Sequence, residues 1–386
     1  MNRRAVLRSA AGLPALGALA AAAVQQKTLK ITGLETDLLQ RPKGAPYYDA
    51  IHTLGVDSGS VVVRLRTDAG ITGWATSSFG MIPGGPRVVQ AILEHEIKPE
   101  LVGKDPAFPR RIRADLWEAL EYQGVGGVAQ FAIAAVDIAI WDILGKNAGI
   151  PVYKMLGAYR EHMPVYSMCG WYYDNDADLG HFRKSIGDAM EQGYRAVKIK
   201  VGRAGMEDDE RRIRAALDLV GKDKRVMVDA NQVFNRNEAL RRGRMYQQMG
   251  CFWYEEPLPP QEMEGYAMLA AELDIRIATG ENLNTRYAFA DLIARRGADV
   301  VQPDNRRAGG VTEWMEIAAV ADAYGLELAS HGGGNTNLNM LLAMPNAIYM
   351  ETSGAHKMID GEYPAPEEPG MSSEVSAAEI QRYKVG

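Results

Sequence analysis

The sequence predicts an α/β protein in which an α+β domain, over residues 27–150, precedes a (β/α)8-type barrel, over residues 151–352. Three observations carry this prediction. After Pro151, short apolar, β-prone runs alternate strictly with helix-length amphipathic stretches. Before it, strand-like runs come first and helical ones follow, as in an α+β domain. Finally, Asp229, Glu255 and Glu281 stand 26 residues apart, each closing an apolar run. That step is about the length of one strand, one helix and two loops.

Taken in order, Met1-Asn2-Arg3-Arg4 opens an apolar stretch running to Val24 whose only charge is Arg8, with small residues at Ala20 to Ala23. This is the pattern of an export signal, and Arg3-Arg4 before Val6-Leu7 resembles a twin-arginine signal. The expectation for residues 1–26 is therefore a signal segment and a periplasmic protein. The alternative is an N-terminal tail on a cytoplasmic one. Residues 27–39 alternate like a strand, and 60–67 and 71–77 form two more, joined by the turn residues Asp68-Ala69-Gly70. Helical patterns follow over 87–98, 108–122 and 129–146. The last is apolar nearly all round and so is expected to be buried.

Eight barrel strands are predicted, at 165–168, 197–201, 226–228, 252–254, 276–279, 300–302, 327–330 and 347–350. Amphipathic helices such as 208–220 and 311–324 lie between them. No long helix follows the eighth strand. The tail, 353–386, is rich in Pro, Gly and Glu and is expected to pack back on the first domain.

Composition narrows the partners. The 386 residues carry a net charge of −6 and no basic run, which argues against nucleic acid. Only Cys169 and Cys251 are present, too few for a disulfide framework or a thiolate metal site. Beyond the N-terminus, no apolar stretch reads as long enough to cross a bilayer, so no membrane partner is expected.

Barrel strands end at one shared mouth, so Asp229, Glu255 and Glu281 converge there. Three carboxylates make an all-oxygen site for a hard divalent cation, Mg²⁺ or Mn²⁺. Lys198 and Lys200 are two apart on a strand and so point to the same side, the barrel interior. Two neighbouring ammonium groups in a partly desolvated pocket are expected to lower one another's pKa. Lys200 is then a candidate base, and Lys198 the cation beside a substrate carboxylate. Asp304 and His331 end the next runs. A carboxylate beside an imidazole fixes its tautomer and raises its pKa, which suits a general acid or base. Glu351 ends the eighth run, where a carboxyl can hydrogen-bond substrate.

Together, Lys198-Ile199-Lys200, Asp229-Ala230-Asn231, Glu255-Glu256-Pro257, Gly280-Glu281-Asn282, Asp304 and His331 resemble the enolase superfamily, specifically its mandelate racemase subgroup. The resemblance covers nearly the whole chain. It implies a modified (β/α)7β TIM-type barrel under an N-terminal α+β capping domain, with one Mg²⁺ on Asp229, Glu255 and Glu281. It also implies that Lys200 faces the His331–Asp304 pair across the substrate, with an enediolate stabilised by the metal. A homo-oligomer is a further family expectation. Candidate substrate-binding residues are Glu351, Asn231 and Asn282, with Trp171, His52 and Tyr48 from the loops near residues 47–52, 77–85 and 171–172.

The activity expected is dehydration of a sugar acid, with α-proton abstraction followed by β-elimination of water to a 2-keto-3-deoxy acid. Two alternatives stand beside it. One is a racemase, epimerase or cycloisomerase acting on an α-hydroxy acid. The other, of a different class, is an exported sugar-acid binding protein without turnover. That protein would be expected to lose Lys200, Asp304 or His331, and all three are present.

Overall fold

In the computed structural model, the residues described are 29–385 except 43, 56–57, 79–83, 125 and 355–356. The predicted signal segment and part of the 77–85 loop lie outside them. The first domain is built on an antiparallel sheet in which Ile31–Arg41 pairs with Ser58–Thr67, and Ser58–Thr67 with Thr72–Ser77. Helix Val128–Ala148 lies across this sheet. Gly73 permits the close approach, since a Cβ there would collide with the Ala139 carbonyl.

By length and composition this 21-residue helix could cross a membrane, which corrects the sequence reading that no stretch beyond the N-terminus could. Its most apolar window is 83% buried inside the protein, so it is a core helix. All-round apolarity suits an element with the sheet on one side and the barrel on the other.

Its few polar side chains fasten the two domains together. Asp142 accepts from the Trp74 and Met371 amides, and Gln130 donates to the Ala308 carbonyl. Asp137 accepts from both the amide and the hydroxyl of Thr312, on barrel helix Gly310–Ala323. Burial pushes the Asp137 carboxyl up to about 6, against those hydrogen bonds. The folded protein therefore holds this proton more tightly than the unfolded chain, and stability falls as pH rises from 3.8 to about 6. The window corresponds to roughly 3 kcal/mol. Asp137→Asn is expected to flatten that part of a stability–pH curve and to leave the protein at least as stable at pH 7. Urea denaturation across the pH range checks it.

The barrel comprises eight parallel strands: His162–Met168, Ala196–Lys200, Arg225–Asp229, Trp253–Glu255, Arg276–Thr279, Val300–Val301, Glu327–Ser330 and Ala347–Thr352. It closes where the last pairs with the first, Glu351 opposite Tyr166. Among the described residues, seven helices of eight residues or more alternate with these strands. After the eighth strand the chain instead adds Glu362–Pro364 antiparallel to the first. It then returns to the capping sheet, where Lys384–Val385 pairs with Leu38 and Leu39. Salt bridges Lys384–Asp37 and Arg41–Glu379, both 2.5 Å, hold the tail there.

Inside the barrel, Tyr166, Ala196, Met227, Trp253, Ala278, Val300 and Ala329 form a separate, fully buried floor. Strand side chains alternate between faces. The residue two positions beyond a floor residue therefore faces the interior one layer nearer the mouth. That rule lifts Lys198 above Ala196, Asp229 above Met227, Glu255 above Trp253 and His331 above Ala329.

Candidate active site

Asp229, Glu255 and Glu281 each offer a carboxylate oxygen within 4.8 Å of the others, and all three residues are buried. Asp229 and Glu255 are register partners on adjacent strands. Glu281 is placed differently. The register partner of Glu255 on the next strand is Ala278, so Glu281 lies three residues past it. Gly280, with φ +131°, turns the chain so that the Glu281 carboxylate comes back to the group, and a Cβ there would stand 2.7 Å from the Phe289 ring. The equal numerical steps therefore conceal unequal positions.

The surrounding residues fit a hard cation. The second Glu255 oxygen is held by Trp253 Nε1 at 3.0 Å and Gln302 Nε2 at 2.8 Å, which orients the first. Beside Asp229, the Asn231 side-chain oxygen is buried without a hydrogen-bond partner. Asn231, Gln232 and Glu256 all adopt positive φ, a cost of about 1–3 kcal/mol each that functional sites commonly carry. An all-oxygen, buried, pre-oriented donor set is what Mg²⁺ requires.

Both strand lysines reach these carboxylates. Lys198 Nζ lies 2.5 Å from Glu255 Oε1, 2.7 Å from Glu351 Oε2 and 3.5 Å from Asp229 Oδ2. Lys200 Nζ lies 2.5 Å from Asp229 Oδ2 and 4.7 Å from the centre of the Trp171 ring. The expectation that the two ammonium groups lower one another's pKa needs correcting. Burial, the largest influence, and the neighbouring Lys198 pull Lys200 down, but the Asp229, Glu281 and Glu255 carboxylates together outweigh them and the net shift is upward. Lys198 is likewise raised, with Glu255 and Glu351 overcoming burial. Sequence spacing revealed the cation pair; the fold supplied the anions.

His331 Nδ1 lies 2.7 Å from Asp304 Oδ2, and its Nε2 lies 3.5 Å from Glu281 Oε2. Asp304 and His331 meet as a parallel bridge continuing their strands. Burial alone would lower the imidazole pKa, but Glu281 and Asp304 reverse the shift and favour the charged ring. Asp304 stays well below the usual carboxylate range despite burial, because Arg306 and His331 flank it. Glu351 accepts from the Tyr166 hydroxyl at 2.8 Å.

These groups open on one cavity of about 830 Å³ between barrel mouth and capping domain. Lys198, Lys200, Asn231, Glu281, Asn282, His331, Glu351, Trp171 and His52 all line it. Asn282 is already engaged, donating to both oxygens of the buried Glu256 at 2.9 Å. Burial and the adjacent Glu281 raise Glu256 well above the usual range. His52 is held by Asp49, Nδ1 to Oδ2 at 2.9 Å. Tyr48 stands outside the lining. Its hydroxyl donates to Asp174 at 2.7 Å and its ring lies under Arg203, so it braces the loop.

Sequence reasoning passed over Arg306, Arg307, Asp49, Gln232 and Asn284, which also line the cavity. Arg306 forks onto both oxygens of Asp304, at 2.6 and 3.1 Å, and reaches Ser78 of the capping domain at 2.9 Å. The signal was there, because a basic pair directly after a barrel strand end, Asp304-Asn305-Arg306-Arg307, points at the mouth.

Known proteins agree with this architecture. Residues 34–157 match the family Mandelate racemase / muconate lactonizing enzyme, N-terminal domain, and residues 181–379 match Enolase C-terminal domain-like. The chain is 31% identical to a 3,6-anhydro-alpha-L-galactonate cycloisomerase of Streptomyces coelicolor over 365 residues, covering 92% of this chain and 100% of that protein. It is 33% identical to an L-talarate/galactarate dehydratase of Salmonella typhimurium over 329 residues, covering 83% and 81%. A crystal structure of the latter enzyme, liganded with Mg and L-lyxarohydroxamate, superposes with a TM-score of 0.86 at 28% identity, covering 99% of this chain and 97% of that one. With the same two-domain fold, a buried carboxylate triad suited to Mg²⁺, and these matches along most of its length, the chain belongs to the mandelate racemase/muconate lactonizing enzyme group of the enolase superfamily.

Proposed function

We propose that this protein is a Mg²⁺-dependent dehydratase of a sugar acid. The observation that carries the reading is the meeting of Lys200 and the His331–Asp304 pair in one polar cavity around the carboxylate triad. A proton α to a carboxylate is too weakly acidic for an amine unless the resulting charge is neutralised as it forms. Mg²⁺ held by Asp229, Glu255 and Glu281 would supply that charge and would offset the triad's pull on Lys200. Lys198, fixed between Glu255 and Glu351, adds a second cation beside the same oxygens.

Lys200 Nζ takes the proton from C2, and Trp171 packs over it to limit water. His331 then donates a proton to the departing 3-hydroxyl. The C3–O bond breaks, water leaves, and the enol tautomerises to the 2-keto-3-deoxy acid. Asp304 keeps Nδ1 of the imidazole engaged, which leaves Nε2 for the substrate.

A specific observation favours a second reading, cycloisomerisation, because two relatives matched over 99–100% of their length are cycloisomerases. Product mass separates the two, since dehydration loses one water and cycloisomerisation none. The test is a panel of sugar acids assayed for 2-keto product and for exchange of the C2 proton in deuterated water. His331→Asn is expected to slow dehydration by about 10² to 10⁴-fold while C2 exchange persists. Full turnover in that variant would remove His331 from the mechanism. Absence of exchange with every acid tried would leave a binding protein as the better reading.

The Arg3-Arg4 segment supports export to the periplasm, and the family supports a homo-oligomer. Recovery of intact residues 1–26 from the cytoplasm would refute the first, and a monomeric mass by light scattering the second.

A further inference from the structure

Among the described residues, each cationic side chain that lines the cavity already has a partner. Among the described lining residues the cationic side chains are Lys198, Lys200, Arg306, Arg307, His52 and His331. The first two serve the reacting end, Lys198 beside the carboxylate and Lys200 at C2. Arg306 is engaged by both oxygens of Asp304 and by Ser78. Arg307 donates to the Glu281 carbonyl at 3.0 Å and stands 3.7 Å from its carboxylate. His52 is paired with Asp49 through Nδ1, and His331 lies between Asp304 and Glu281. A second substrate carboxylate entering here would lose its water and would have to share each countercharge with a partner already in place, which is unfavourable.

Asn284 supplies the complementary observation. It directly precedes helix Thr285–Ala294, yet its side chain makes no capping hydrogen bond. Its amide oxygen is buried without a partner, and the residue lines the cavity. A buried acceptor left unsatisfied costs about 1–3 kcal/mol. The fold gives this side chain no hydrogen-bonding task, whereas a ligand donor would satisfy it. A hydroxyl can donate to that oxygen; a carboxylate can only accept, and would be repelled.

We propose that the substrate's far end is uncharged and hydroxylated, with Asn284 accepting one of its hydroxyls. The enzyme then acts on monocarboxylic, aldonic-type acids in preference to dicarboxylic, aldaric-type ones. This rests on the sugar-acid reading above and narrows it.

The experiment uses matched aldonate and aldarate pairs sharing all stereocentres. Their binding to the Mg²⁺-loaded Lys200→Ala protein is measured by calorimetry, and their kcat/KM on the unaltered enzyme. For the stereochemistry that turns over, the aldonate is expected to win by at least about tenfold in both, the equivalent of one hydrogen bond. Asn284→Leu is expected to weaken aldonate binding about tenfold, raising KM more than it lowers kcat. Equal or tighter aldarate binding, or unchanged aldonate affinity in Asn284→Leu, would overturn the proposal and leave the sugar-acid reading standing. No C2 exchange and no 2-keto product with either class would overturn both. The paired comparison needs no substitution at Asn284, so it decides even where that variant fails to fold.

Discussion

Lys200→Ala is expected to abolish C2 proton exchange and turnover together, by about 10⁴-fold or more. The size follows from its position. Lys200 is nearly fully buried, on the strand face that looks into the cavity, and Asp229 and Trp171 hold its ammonium from two sides. Among the described lining residues, the other lysine is Lys198, which Glu255 and Glu351 clamp. On the Lys200 side, therefore, the remaining lysine cannot take over proton removal without moving, and His331 faces it from across the substrate. The contrast with His331→Asn is diagnostic, since that variant keeps the base and is expected to retain exchange. Exchange at wild-type rate in Lys200→Ala would place the base elsewhere.

Removal of the metal is expected to have an effect of similar size. Treatment with EDTA should bring activity below detection, and added Mg²⁺ should restore it. A readout independent of turnover comes from stability. Three buried carboxylates within 4.8 Å repel one another, and Lys198 and Lys200 offset that only in part. Mg²⁺ at 100 times its Kd should then stabilise the fold by about 2.7 kcal/mol. A melting temperature unmoved by Mg²⁺ would argue that the triad does not bind it. Ca²⁺, which takes longer and more flexible bonds, should raise the melting temperature while supporting less activity.

How much of this was legible in the sequence depended on the range of the interaction concerned. The eight strands were readable because each is a short apolar run, and strand alternation then ordered Lys198 with Lys200 and placed Asp229 and Glu255 above the floor. Glu281 was found for a weaker reason, as its 26-residue step matched the others by number while its register did not. Trp171 and His52 were assigned to the site from loop position alone, and the cavity does include them. Tyr48, from the same loop, turns to Asp174 instead. Asn282 sits in the motif that suggested it, but Glu256 occupies its amide. No local pattern separates those outcomes.

By itself the sequence determined the barrel and capping-domain elements and the cation pair, because each follows from periodicity within its own segment, and it showed the carboxylate triad through the equal spacing of three such segments. Tertiary structure alone decided the charge balance. It set Asp229 against Lys200, and Glu255 and Glu351 against Lys198, and it left the Asn284 amide oxygen without a partner. Those pairings join strands 29 to 153 residues apart in sequence, and strand register and barrel closure bring them within reach. Electrostatic energy depends on such distances through space, and sequence separation carries little of that information.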